Sequence, residues 1–383
     1  MTQGGNQDLP AGALTGVTVL DLTRLLPGPY ATQILWQFGA HVIKVEDTGQ
    51  GDYARTNSPL PSSGFGPTFT AANRGKQSVT IHLKSREGLD AFMTLVKKAD
   101  VLIEGFRPGV ARRLGIDAAS LHSVHPGLIY CSISGYGQKT QHAHLAGHDI
   151  NYQGAAGLLS RGQGRAPVHP TALIADLAGG SYASVVSILV ALLERQKTGR
   201  GRYIDLSITH SALLLNPQLA AYHLSNLDPA PLRRRFDGTH PGYRIYETSD
   251  GRHMTLGALE SKFWDRFCDL AGCPEFMGVT ESDDPAILAL CHQKMEAIFR
   301  QRSFAAWSQL ALEWDVCMAP VLTPEEAIDE AKAEQLPLFA SFDSGTQVVE
   351  VLRGGPADLT RIEERAATPP PRQGQHNSEH GCA

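Results

Sequence analysis

Residues 16–46 read GVTVLDLTRLLPGPYATQILWQFGAHVIKVE. Val17–Leu22 is a short, mostly apolar run with Val alternating through it, the pattern of a strand covered on both faces. RLLPGP makes a turn, and its prolines suit the first positions of a helix, which Tyr30–Phe38 continues in helical period. His41–Glu46 is a second strand of the same kind. A strand, a helix and a strand packed into so few residues form a βαβ unit, and that unit requires a parallel sheet with a right-handed crossover. No GxGxxG follows the first strand, so the dinucleotide fingerprint is absent, which argues against a nicotinamide or flavin enzyme.

The alternation continues outward from this unit. Ser78–Leu83 reads as a strand, Glu87–Lys98 as a helix, and Val101–Phe106, Leu128–Gly137 and Tyr203–Ile208 as further strands. The fold class is therefore α/β, with a Rossmann-like parallel sheet in a large domain. Past residue 235 the pattern changes: YRIYET, a Ser-Asp-Gly turn and HMTLGAL form a hairpin, followed by helical segments. This predicts a smaller α+β domain over 235–330. The large domain takes 16–225 and 335–365, a polar leader covers 1–15, and a linker lies at Asn226–Arg235. Residues 366–383, rich in Pro, Gln, His and Ser, read as a disordered tail.

Composition limits the partners. The 383 residues are 42% hydrophobic and 19% charged, which suits a soluble globular protein large enough for two domains. A net charge of −5 argues against a nucleic-acid partner. The six cysteines show no CxxC or zinc-finger spacing and read as reduced thiols. The N-terminus lacks a basic region followed by an apolar core, and no apolar run reaches the length of a membrane span; the nearest, Val185–Leu193, reads as a buried helix. A cytoplasmic location with no membrane partner is the expectation.

The chemistry concentrates between Ala146 and Gly180, in AGHDINYQGAAGLLS and PTALIADLAGG. His148 and Asp176 each accept a proton, and each stands where a helix begins, close to backbone N–H groups and the positive dipole end. Both residue types are also ordinary helix caps. Glu260 follows the hairpin at the start of SKFWDRFCDLAG, where a carboxylate complements the helix dipole. Lys44, Arg74, Lys76, Arg107 and Arg113 lie at or just beyond strand ends. Ligands of open α/β sheets bind outside the carboxyl ends of the strands, so this group suits a polyphosphate, although each cation alone reads as a solvated surface charge.

In this order, GVTVLDLTRLLPGPYATQILWQFGAHVIKVE, NRGKQSV, FRPGV, SISGYG, GHDINY, ADLAGG and TGRGRYIDLS resemble the class III CoA-transferase superfamily. GHDINY and LGALESKFW are most similar to its α-methylacyl-CoA racemase branch. The resemblance implies an acyl-CoA thioester substrate, no metal or redox cofactor, and two chains interlocked as rings in a homodimer. It implies that His148 and Asp176 are the acid/base pair and that Glu260, contributed across the dimer interface, supports the histidine. It places CoA contacts on Lys44, Arg74 or Lys76, Arg107 and Arg113, with Gly147 offering a backbone N–H and Asp149 and Tyr152 near the pantetheine. The activity it implies is racemisation of 2-methylacyl-CoA through an enolate. A true CoA-transferase is the rival, with Asp176 carrying an aspartyl-CoA intermediate; Leu26, where transferases of this class carry Gln, and Gly257–Glu260, where they carry a glycine-rich loop, argue against it. A non-catalytic CoA-binding protein is the third reading.

Overall fold

The computed structural model describes residues 12–61, 64–160, 166–279, 282, 284–353 and 368–382. The chain divides into two units: unit 1 takes 1–159, 169–216 and 336–383, and unit 2 takes 160–168 and 217–335. The leader expected over 1–15 falls largely outside the described residues.

Unit 1 is built on six strands: β1 (Thr18–Leu22), β2 (His41–Glu46), β3 (Gln77–Thr80), β4 (Val101–Glu104), β5 (Ile129–Ser134) and β6 (Tyr203–Ser207). All neighbours pair in parallel, in the order β3-β2-β1-β4-β5-β6. The order reverses between β1 and β4, the switch point at which doubly wound sheets open a ligand crevice. The helices are α1 (Pro27–Gln37), α2 (Pro67–Asn73), α3 (Arg86–Val96), α4 (Val110–Arg113), α5 (Ala118–Val124), α6 (Asp149–Ala155), α7 (Ala183–Thr198) and α8 (Ile208–Leu213). Alternate strand residues feed the two faces. Val19, Ile103 and Ile133 pack with Ile34 and Leu35 of α1 and Ile188 of α7. Leu20, Leu102 and Tyr130 pack with Phe92 of α3 and Leu121 of α5. This two-sided burial is why the strands are nearly continuous in apolar character.

A π-helix, Ala175–Tyr182, runs without a break into α7. Together they make a helix of 24 residues, Ala175–Thr198, long and apolar enough to match a membrane span. The reading that no run reaches that length is thereby corrected. Val185, Ile188, Ala191 and Leu192 of this helix are buried in the sheet core, so its apolar character serves packing on one side. Gly199, at φ +67°, ends it in the left-handed conformation that glycine adopts without a Cβ penalty.

Unit 2 contains α9 (Pro217–Leu224), α10 (Ala230–Phe236), the hairpin β7 (Tyr243–Glu247) and β8 (His253–Gly257), α11 (Ser261–Leu270), α12 (Pro285–Phe299), α13 (Phe304–Trp314), β9 (Met318–Pro320) and α14 (Pro324–Ala333). Its three strands are antiparallel, in the order β7-β8-β9, over a core with Trp264, Phe267, Phe299 and Trp307 fully buried. The linker read at Asn226–Arg235 is corrected. Most of it is α10, and the chain leaves unit 1 earlier, after Asn216.

The chain returns to unit 1 with the antiparallel pair β10 (Phe339–Asp343) and β11 (Val348–Leu352). The tail is a further correction, because 368–382 packs along the free edge of β3. His376 donates its N–H to the Ser78 carbonyl at 2.9 Å and accepts the Ser78 N–H on Nδ1 at 3.0 Å. Asn377 accepts the Thr80 N–H at 2.8 Å, and Cys382 is buried among the residues of the α3 face. An exposed edge leaves strand donors and acceptors open, and polar His and Asn side chains satisfy them without a full strand. Residues 366, 367 and 383 of that predicted tail lie outside the described residues.

Candidate active site

His148 stands at the N-cap of α6 with an exposed side chain. Its backbone N–H donates to Asn151 Oδ1 at 3.0 Å, so Asn151 reaches back and fixes the entry to the helix. Gly147, just before it, has no room for a side chain: a Cβ there would stand 2.6 Å from the Tyr152 ring. Tyr152 itself is buried and donates its hydroxyl to the Gly147 carbonyl at 2.6 Å. The turn that presents His148 is thus packed from below by an aromatic side chain four residues further on.

Asp176 lies in the first turn of the π-helix, partly buried. It is not the cap of its helix, as the sequence suggests; Ile174 holds that position. The cap comes from α6, where the buried Asp149 carboxylate accepts the Asp176 N–H at 2.9 Å. The second Asp149 oxygen accepts a hydrogen bond from Gln153. π-Helical segments are rare and recur at functional sites. Here the segment needs its glycines: a Cβ on Gly179 would meet the Ile208 carbonyl at 2.8 Å, and one on Gly180 would meet Pro27 Cβ at 2.9 Å.

Electrostatically His148 and Asp149 both act on Asp176. Burial pushes the Asp176 carboxyl up to about 6, with Asp149 adding to the rise and His148 opposing it. Burial and then the charge of Asp176 push the Tyr152 phenol up to about 12. A carboxyl near 6 exists in both protonation states close to neutrality, which is what a group that both takes and returns a proton requires.

The cations divide into two sets. Arg107 and Arg113 are exposed beyond the carboxyl end of β4, as the sequence reading has them. Lys44, Arg74 and Lys76 are instead buried, which corrects the reading of each as a solvated surface charge. Lys44 pairs with Asp52 at 2.8 Å and donates to the Thr23 carbonyl. Lys76 donates to Asp21 at 2.9 Å, and also to Pro29 O, Thr32 Oγ1 and Asn73 Oδ1. Burial pushes the Asp21 carboxyl up, but Lys76, Lys44 and the hydroxyls of Thr23 and Thr32 outweigh it and hold Asp21 well below the usual carboxylate range. Arg74 lies 5.7 Å from the Trp36 ring centroid and donates to the Leu352 carbonyl at 3.3 Å. Asp149 and Tyr152, expected beside a pantetheine, likewise face inward on the partners already named. Lys44 lies within β2 and Lys76 just before β3, not beyond the carboxyl ends of strands, and the sequence did not reveal that Asp52 and Asp21 pair with them.

Glu260 belongs to unit 2. It stands at the N-cap of α11, exposed, with no capping bond from its side chain. It lines a cavity of about 640 Å³ within that unit, beside Arg234, Arg235 and His240. Its support of His148 rests on the resemblance alone. Among the described residues no three His, Cys, Asp or Glu side chains gather to hold a metal ion.

The fold is a doubly wound sheet, and the helix starts that carry His148 and Asp176 are joined by the Asp149 carboxylate. The chain belongs to CoA-transferase family III, whose profile matches residues 14–377. It is 33% identical to the α-methylacyl-CoA racemase of Homo sapiens over 324 residues, 82% of this chain and 79% of that protein. It is 30% identical to the succinyl-CoA:glutarate CoA-transferase of Mus musculus over 370 residues, 95% of this chain and 84% of that one. Among solved structures, a CAIB/BAIF family protein from Brucella suis superposes with a TM-score of 0.79 at 28% identity, covering 96% of this chain and 98% of that one.

Proposed function

We propose that this protein is a racemase or epimerase of 2-methylacyl-CoA thioesters that removes and returns the α-proton through an enolate, without a cofactor. The observation that supports the reading is the electrostatic influence of His148 on the Asp176 carboxyl, which burial raises to about 6. An α-proton next to a thioester is weakly acidic, so its removal needs a placed base and a stabilised enolate oxygen. Inversion needs a second group on the opposite face. A neutral imidazole takes the proton while a protonated Asp176 delivers one, and the reverse reaction exchanges their roles. Arg107 and Arg113 are exposed cations available to the CoA phosphates, and Glu260, contributed by a second copy across the dimer interface, fixes the imidazole tautomer.

A CoA-transferase reading is supported by relatives of similar identity that carry that name. In it the Asp176 carboxylate attacks the thioester carbonyl, releases CoA thiolate and leaves a mixed anhydride; the thiolate then attacks the aspartyl carbonyl and frees the acid. One experiment separates the readings. A single enantiomer of a 2-methylacyl-CoA, incubated in deuterated water with a second carboxylic acid, loses chirality and gains α-deuterium if the protein is a racemase. Passage of CoA to the added acid, with a hydroxylamine-sensitive adduct on Asp176, makes it a transferase. CoA binding with neither reaction makes it a binding protein.

We further propose a homodimer. Tyr182, Val186, Val190 and Leu193 form an apolar stripe along the helix that carries Asp176, and the last three are each at least 60% exposed. A second copy is the occupant proposed for this stripe, in preference to a bilayer. All six cysteines are free thiols, in keeping with a cytoplasmic location.

A further inference from the structure

We infer that Asp149 is a positioning residue for proton transfer: one carboxylate that fixes where the Asp176 carboxyl stands relative to His148, and that holds a like charge behind it. The inference rests on the racemase reading for its kinetic consequence, but its geometry does not.

Asp149 is the residue after His148 and the first residue of α6. Its Oδ1 accepts the backbone N–H of Asp176 at 2.9 Å, and its other oxygen is held by Gln153, one turn further along the same helix. A single buried side chain therefore joins the start of the His148 helix to the start of the π segment. Without it, an N–H in the first turn of that segment loses its acceptor. The π geometry provides no internal alternative at that end.

The charge matters as well as the bond. The groups acting on Asp176 are Asp149 and His148, with Tyr152 beneath them, all on α6 or at its cap. α1, α7, α8 and β6, the last with Asp205, also pack on the π segment, and among the described residues none of their charged groups acts on Asp176. Two carboxylates close together disfavour each other's ionisation, so Asp149 keeps a proton on Asp176 available to return to substrate. His148 opposes this when protonated. Burial raises Asp176 most, and Asp149 and His148 adjust its proton balance in opposite directions from the mouth of one helix.

The test uses the full-length protein and two variants. Asp149→Asn keeps an oxygen for the Asp176 N–H and removes the charge. Asp149→Asn with Gln153→Glu reverses the hydrogen bond between those two residues and returns a charge to the same turn. Asp176 is titrated directly by NMR of 13Cγ-labelled aspartate, assigned with Asp176→Asn, and the pH profile of α-deuterium exchange from 2-methylacyl-CoA is recorded alongside. Asp149→Asn is expected to move the Asp176 titration and the acidic limb of the profile to lower pH, by roughly one unit or a tenfold change in proton affinity. The double variant is expected to move both back. An Asp149→Asn protein that is folded, with the Asp176 titration unmoved, overturns the inference, as does a double variant that fails to restore it. If the wild type exchanges no α-proton, the racemase reading fails, while the NMR titration still decides the role of Asp149.

Discussion

Ser181 ties the segment bearing Asp176 to the first turn of α1: its hydroxyl donates to the Pro27 carbonyl at 2.7 Å. The same turn is held by Lys76, which donates to the Pro29 carbonyl at 2.8 Å and to Asp21 of β1. A path of hydrogen bonds therefore runs from the buried ion pair through the first turn of α1 to the π-helix. The buried lysine thus holds the scaffold around the π-helix.

The glycine pair is the first place to test this. Gly179→Ala places a methyl 2.8 Å from the Ile208 carbonyl and 3.0 Å from the Ala212 nitrogen, both backbone atoms that cannot swing aside. The π segment must shift away from α8 and take Asp176 with it. The expected outcome is a loss of kcat of about a hundredfold, from a misplacement on the order of 1 Å, with a smaller change in melting temperature. Steady-state kinetics and a thermal melt on the same sample check the split.

Asp176 weakens the fold at neutral pH. Its carboxyl is raised from 3.8 to about 6, so the folded state holds this proton more tightly than the unfolded state. The associated stability is fully present below pH 3.8 and is lost as pH rises through 6. Asp176→Asn should therefore stabilise the protein above pH 6, on the order of 1 kcal/mol after screening by solvent at this partly exposed group, and the gain should vanish below about pH 4. Urea melts at pH 4 and pH 8 measure it; an equal effect at both would contradict the assignment.

The two sets of cations should behave differently. Lys76→Met leaves Asp21 charged and buried without its partner, which costs about 3–5 kcal/mol. Arg107→Ala and Arg113→Ala remove exposed charges and should leave stability within about 0.5 kcal/mol. They should raise KM for acyl-CoA several-fold, with a weaker effect at high salt. KM measured at two ionic strengths, beside a urea melt, distinguishes scaffold from contact.

The C-terminal strap gives a fourth expectation. Asn377→Ala removes the acceptor for the Thr80 N–H and the donor to Thr80 Oγ1, bonds of 2.8 and 2.9 Å. A chain ending at residue 367 would lose these and the His376 pairing with Ser78, opening the β3 edge. Lower stability by about 1–2 kcal/mol is expected for the point variant. The truncated chain should associate through the exposed edge, read by light scattering.

The sheet was legible because its strands are buried on both faces, and Val17–Leu22, His41–Glu46 and Val101–Phe106 therefore stand out as apolar runs. The hairpin at Tyr243–Gly257 was legible from its Ser-Asp-Gly turn. His148 could be placed at a helix start because the cap position is a local property. The π-helix was not legible: ADLAGGSY has ordinary helical composition, and the Ile208 and Pro27 groups that crowd its glycines are far away in sequence. The same holds for Lys44 and Lys76, whose partners Asp52 and Asp21 carry no local mark of pairing. The strap at 368–382 was misread because Pro, Gln and His signal disorder by composition, whereas here they serve as hydrogen-bonding partners for a strand edge.

Two-base exchange is the centre of the account, and each base addresses one face of the α-carbon. The most direct measurement follows deuterium uptake from solvent by each enantiomer of 2-methylacyl-CoA separately, with wild type, His148→Ala and Asp176→Ala. The account predicts exchange of both enantiomers by the wild type. It predicts that each variant fails to racemise yet retains exchange of one enantiomer, a different one for each variant. Loss of exchange of both enantiomers in Asp176→Ala, with full exchange retained in His148→Ala, would contradict it and leave Asp176 as a lone base or nucleophile.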